Sequence, residues 1–110
     1  MKIWLDDLRT KPNYEWKHFT TSEDAIRALK VYKAFGVRIE AISFDHDLGG
    51  DDTTRPVILW MIEHEFWPKQ VYVHTANPVG REWLVGMTEA YGPGVTYATS
   101  ELVNSTSYIR

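Results

Sequence analysis

The chain has 110 residues, 44% of them hydrophobic and 14% aromatic, which suits one compact domain with a substantial core and excludes a disordered tail or a coiled coil. The absence of cysteine excludes a disulfide framework, a thiolate metal site and a cysteine nucleophile. Lys plus Arg is 12 and Asp plus Glu is 15, a formal charge of -3, which is the wrong balance for a protein that coats double-stranded DNA.

The start of the chain turns acidic at Asp6 and carries no apolar leader, and no stretch approaches the roughly 18 apolar residues of a membrane span. A single cytoplasmic domain over residues 1–110 is therefore expected. Lys2 to Leu5 reads as a buried strand that halts at Asp6-Asp7, and Asp7 to Tyr14, with Pro12-Asn13, reads as loop. Glu15 to Thr20 alternates polar and aromatic residues, as an edge strand does. Thr21 or Ser22 can cap a helix whose apolar stripe is Ala25, Ile26, Leu29 and Tyr32, and Gly36 closes it.

Ile39 to Phe44 is a second core strand, ending at Asp45-His46-Asp47 and followed by the flexible loop Gly49-Gly50-Asp51-Asp52, whose acids are expected to be solvated. Val57, Ile58, Met61 and Ile62 give the buried stripe of a helix that Pro68 should end at or before Trp67. Val71-Tyr72-Val73 is a third core strand and ends at His74-Thr75. Asn77 as cap and Pro78 at the first helical position start a helix on which Trp83, Leu84, Met87 and Tyr91 share one face and which stops at Gly92. Val95 to Thr99 reads as one more strand, and Asn104 to Ser107 as irregular. Strands alternating with helices imply right-handed parallel crossovers and an open sheet with helices on both faces.

Ligands bind such sheets outside the carboxyl ends of the strands. Those ends are Asp6-Asp7, Asp45-His46-Asp47 and His74-Thr75, so three distant segments should meet on one rim. Carboxylates gathered there need a cation or basic side chains, and hard oxygen donors suit Mg²⁺ or Mn²⁺, with Zn²⁺ admitted by the two histidines. Asp6, Asp7, Asp45 and Asp47 are the expected ligands. The helix start at Asn77 offers N–H groups to a phosphate, and Arg9 and Arg81 are the nearest cations in sequence. His46 and His74 can exchange protons with a phosphoryl group. His18 and His64 are expected on the surface, and Trp60 and Trp67 are the tryptophans expected to be exposed, as a stacking platform or a dimer face.

The runs Trp4-Leu5-Asp6-Asp7-Leu8-Arg9, Ser43 to Gly49 and Val73 to Arg81 together resemble the cyclic-phosphate-processing receiver domain family, a divergent branch of response-regulator receivers. The resemblance spans about residues 2 to 91. It implies a flavodoxin-like, receiver-like three-layer sandwich with a mainly parallel sheet of four to five strands, shortened relative to a full receiver. It further implies that Asp6 and Asp7 match the receiver's metal-binding pair, that Asp45 matches its phospho-accepting aspartate, and that Thr75 is similar in position to its Ser/Thr switch residue. Two departures stand out: Asp7 to Glu15 is too short for a receiver's first helix, and Val95 to Ser100 lacks the lysine that closes a receiver's fifth strand.

The expected activity is that of a metal-dependent phosphoesterase acting on cyclic phosphates, either 2′,3′-cyclic RNA ends or cyclic nucleotides. Asp45, His46 and His74 would be catalytic, with the acid and base roles of the histidines unassigned, and Arg9, Thr75, Asn77 and Arg81 would hold the phosphate. Two alternatives share the sequence: a module that sequesters a nucleotide without converting it, and a degenerate receiver used for protein contact, with a homodimer as one such contact.

Overall fold

The structure is a computed structural model that describes residues 1–97. The elements follow the order β1 (Lys2–Leu5), β2 (Trp16–Phe19), α1 (Ser22–Ala34), β3 (Ala41–Phe44), α2 (Arg55–Glu63), β4 (Gln70–Val73) and α3 (Pro78–Tyr91). All strand pairs are parallel, in the order β2-β1-β3-β4, so the flavodoxin-like sheet is present in shortened form. Only the start of the expected last strand is seen: Val95 bridges Val71 in parallel, and Thr96 N–H donates to the Val71 carbonyl at 2.7 Å. Residues 98–99 of that strand, and the irregular stretch at 104–107, lie outside the described residues.

The handedness of parallel crossovers decides where the helices go. From β2 to β3 and from β3 to β4 the chain moves across the sheet in one direction, so right-handed connections place α1 and α2 on one face, and α3 after β4 joins them. From β1 to β2 the chain moves the opposite way, so Asp6 to Glu15 crosses the other face. The packing agrees. Ile3, Leu5, Ile42, Phe44 and Val71 form one core with Ala25 and Leu29 of α1, Val57, Ile58 and Met61 of α2 and Leu84 of α3. Trp4, Trp16, Ala41 and Tyr72, alternating with them along the strands, form a second cluster on the opposite face.

Among the described residues all three helices thus lie on one face, and the β1–β2 connection is an irregular segment held by Trp4 Nε1–H donating to the Arg9 carbonyl at 3.2 Å. A parallel crossover usually needs a helix because it must return the full strand length. Four-residue strands are only about 13 Å long, so an extended loop can cover the distance.

Helix ends are set locally. Thr21 caps α1 by accepting from Asp24 N–H at 3.1 Å, and Asp52 adds to that end by accepting from both Ser22 N–H (2.9 Å) and Ser22 Oγ–H (2.5 Å). Asp52 is therefore a strap between the β3–α2 loop and α1, which corrects the expectation of a solvated loop acid. Gly36, at φ 68°, closes α1 with Val37 N–H on the Tyr32 carbonyl and Gly36 N–H on the Lys33 carbonyl. The same double bond pattern ends α2 at Glu63, well short of Pro68: Phe66 N–H reaches the Met61 carbonyl and Glu65 N–H the Ile62 carbonyl, with Glu65 at φ 49° in the glycine position.

That turn folds Phe66 back against Trp60 and brings the His64 ring onto it, 4.3 Å between centroids. Trp60 is buried as a result, against the expected exposure, and Trp67 is half-buried beneath Gly92.

The two matched helix ends make a stability test. Glu65→Gly removes the cost of a left-handed side-chain residue and should raise the unfolding free energy by about 1 kcal/mol, whereas Gly36→Ala imposes the same cost and should lower it by about 1 kcal/mol. Urea midpoints of both variants against the parent protein read the two signs.

Candidate functional site

The register that pairs Leu5 with Phe44 and Phe44 with Val73 continues one residue further, where Asp45 N–H donates to the Leu5 carbonyl and His74 N–H to the Phe44 carbonyl, each at 2.9 Å. Asp6, Asp45 and His74 therefore stand in one row across three adjacent strand ends. By strand alternation they share the face of Trp4, Ser43 and Tyr72, two positions earlier. This is the convergence that the strand ends predict.

Asp6 has no exposed surface and Asp45 only 1%. One oxygen from each of Asp6, Asp7 and Asp45 lies within 4.8 Å of the other two. Buried carboxylates are rare unless paired, and three at this spacing repel one another unless a cation offsets them. An all-carboxylate donor set is hard, so these residues fit a divalent cation of the Mg²⁺ or Mn²⁺ type. Asp7 borders the β3–α2 loop closely: a Cβ on Gly49, which sits at φ 90°, would be 3.0 Å from Asp7 Oδ2.

Asp6 is oriented from all sides. Its Oδ1 accepts from Leu8 N–H and Arg9 N–H, both at 2.8 Å, its Oδ2 lies 3.0 Å from His74 Nε2, and its backbone carbonyl accepts from His18 Nε2–H at 2.7 Å. His18 is thus a half-buried partner of the rim rather than a surface residue. Beyond His74, Nδ1 lies 2.7 Å from Ser43 Oγ, and the imidazole stacks on Trp4 with centroids 4.0 Å apart and planes 3° apart. With Asp6 ionised, His74 carries its proton on Nε2 and accepts the Ser43 hydroxyl on Nδ1.

His74 is 3% exposed, and both ring nitrogens are engaged. Burial holds its pKa below the ordinary imidazole value, a shift that the hydrogen bond and charge of Asp6 oppose and the charges of Arg9 and Arg81 reinforce.

Asp47 lies apart from the acidic triad. It accepts from Asn77 Nδ2–H at 3.0 Å and from His46 Nδ1–H at 3.1 Å, and the Asn77 bond is the main reason that its carboxyl is held below the usual range. His46 in turn accepts on Nε2 from the Arg55 Nε–H at 2.9 Å, a donor with no acceptor capacity, so the tautomer with the proton on Nδ1 is fixed. The remaining Arg55 nitrogens carry no hydrogen bond among the described residues, and the guanidinium lies 4.8 Å from the Trp83 ring centroid. Arg55 escaped sequence reasoning because it follows the rim by eight residues, at the start of a helix. His18 and Ser43 escaped it because each acts through a contact across the sheet.

The phosphate-facing candidates are placed as follows. Asn77 caps α3 by accepting from Gly80 N–H at 3.0 Å, and Thr75 Oγ1 accepts from Asn77 N–H at 3.2 Å. Arg9 Nη1 donates to the His74 carbonyl at 3.0 Å and Arg81 Nη2 to the Thr75 carbonyl at 2.8 Å, so both guanidinium groups brace the backbone where β4 leaves the sheet. His64 is exposed. Among the described residues, no helix is long and apolar enough to cross a membrane.

In comparisons with known proteins, the family model described as the cyclic-phosphate processing receiver domain matches residues 1–90. No curated protein and no solved structure matches the chain.

Two outcomes test this geometry. Because folding holds the His74 pKa below its ordinary value of 6.5, its contribution to stability is present above that pH and is lost as pH falls from there towards the lowered folded value. Urea midpoints between pH 7.5 and 5 should fall for the parent protein and fall less for His74→Gln. The second concerns Gly80, where a Cβ would sit 2.3 Å from His46 Cγ. Gly80→Ala should cost on the order of 1–3 kcal/mol and displace the His46 ring resonances in NMR spectra.

Proposed function

The chain belongs to the cyclic-phosphate processing receiver domain family, and from that membership and the buried acidic rim we propose that it is a metal-dependent phosphoesterase that opens cyclic phosphates, as 2′,3′-cyclic RNA ends or cyclic nucleotides. The observation that carries this reading is the meeting of Asp6, Asp7 and Asp45, two of them buried, at the carboxyl ends of the central strands.

In this reading Asp6, Asp7 and Asp45 hold a divalent ion, Mg²⁺ or Mn²⁺, with Zn²⁺ the third candidate. Bound there, the ion supplies charge neutralisation at the phosphoryl oxygens and a more acidic water. His74, with Ser43 and Trp4 behind it, positions Asp6. Asp47 does the same for His46 and for Asn77 at the start of α3.

Phosphate contacts come from Arg55, from Thr75 and Asn77 at the start of α3, and from Arg9 and Arg81, which border the end of β4. A guanidinium–phosphate contact is charge-assisted, unlike the Arg55–His46 bond, so an arriving phosphate competes for Arg55 and releases the lone pair on His46 Nε2. His46 then takes the proton of the attacking water. As the water oxygen bonds to phosphorus, the ring P–O bond breaks, and the leaving ribose oxygen takes a proton from solvent.

A second reading is binding without turnover. The engagement of all four ring nitrogens of His46 and His74 favours it, since neither ring has an idle nitrogen.

One assay separates the two. Ring opening of 2′,3′-cyclic and 3′,5′-cyclic nucleotides and of cyclic-ended RNA is followed with Mg²⁺, Mn²⁺, Zn²⁺ or chelator. Metal-dependent opening is expected, reduced at least about a hundredfold in Asp45→Asn. Turnover unchanged in that variant under metal-replete conditions overturns the assignment of Asp45, and tight binding with no product establishes the second reading.

A further inference from the structure

A groove lies beside the rim, between the start of α2 and the exposed side of α3. Its volume is about 500 Å³, and its lining is Arg55, Val79, Glu82, Trp83, Gly86 and Met87. Two observations connect it to chemistry. The first is Arg55: its Nε–H bonds the ring of His46, the residue that follows Asp45 at the end of β3, and its guanidinium lies over the Trp83 indole. A ligand whose anionic end is held by Arg55 therefore has its adjoining part at this groove.

The second is Gly86, in the interior of α3 and exposed. Glycine there costs the helix about 1 kcal/mol relative to alanine, and no steric need explains it, since a Cβ would meet nothing within 4 Å. It is one turn on from Trp83, so its missing side chain leaves the groove open beside the indole.

We infer that this groove is the nucleobase subsite of the same reaction centre, so that the substrate is a nucleoside cyclic phosphate rather than a cyclic phosphate on any sugar. The inference rests on the reading of the rim as the phosphate site. The groove has what a flat heteroaromatic ring requires: the planar Arg55 guanidinium, itself backed by the Trp83 indole, for stacking, the apolar sides of Val79 and Met87, and the Glu82 carboxylate as acceptor for a ring N–H or amino group. Val79 is 68% exposed, so the groove is open at the start of α3.

Binding is measured by calorimetry with Mg²⁺ for ribose 2′,3′-cyclic phosphate, which has no base, for the four nucleoside 2′,3′-cyclic phosphates, and for a short RNA ending in the same group. The parent protein should bind the nucleosides about tenfold or more tighter than the base-free sugar, in line with stacking of one base. Gly86→Leu, which fills the groove from open space, should erase that preference and keep the affinity for the base-free sugar. Gly86→Ala should retain it.

As a readout that needs no variant, the assigned Trp83 indole N–H resonance should shift with the nucleoside cyclic phosphates and stay in place with the base-free sugar. RNA binding tighter than the mononucleotide identifies an RNA end as the source of the ligand, and equal affinity identifies the free nucleotide; both keep the subsite. Equal affinity for sugar and nucleosides, or a preference that survives Gly86→Leu with Trp83 unmoved, overturns the subsite and leaves the phosphate reading standing. Absence of binding to the base-free sugar and the nucleosides alike overturns both.

Discussion

The carboxylate of Asp6 is held without exposed surface at the end of the central strand, and much of the surrounding geometry is there to keep it so. An ionised group in that position requires hydrogen bonds in place of water. It takes two from the backbone of its own turn, at Leu8 and Arg9, and one from His74 two strands away. The first pair forces the chain to turn sharply after β1 and starts the irregular crossover to β2. The third calls for a histidine that carries a proton on Nε2, and the Ser43 hydroxyl at Nδ1 and the face of Trp4 hold the ring in place for it. One buried charge thereby accounts for the side chains chosen at three strand positions.

Much of this was legible along the chain because it depends on local signals. Thr21 and Asn77 act as caps, Gly36 ends its helix in the left-handed region, and the apolar runs stop at acids where the strands stop. The short Asp7 to Glu15 connection also announced the missing helix, and crossover handedness then explains why the three helices share a face. The end of α2 was hidden because Glu65 occupies a position that glycine normally marks. Trp60 looked exposed for the same reason, since only that turn brings Phe66 and His64 over it.

The rim was legible in outline and not in its wiring. Strand ends predict that Asp6, Asp45 and His74 meet, since topology alone brings them together. Which of the acids face one another depends on side-chain direction, and there Asp47 turns towards Asn77 and His46. Partners such as His18, Ser43 and Arg55 act through side-chain contacts to residues distant in sequence, and residue type alone does not announce such a pairing. Asp52 likewise belongs to a loop that reads as solvent-facing, yet it joins that loop to α1.

The row of Asp6, Asp45 and His74 draws on the beginning, the middle and the latter part of the chain, and no two of its members are joined by a hairpin. Parallel pairing of this kind forms only when distant segments are already in place. The rim therefore has no existence in a partly opened molecule: detaching β4 removes His74 from Asp6, and detaching β1 removes Asp6 and Asp7 from Asp45. A ligand that binds there draws on the free energy of the entire sheet. Its arrival should slow hydrogen exchange at the buried amides of all three strands together, rather than only at the loops it touches.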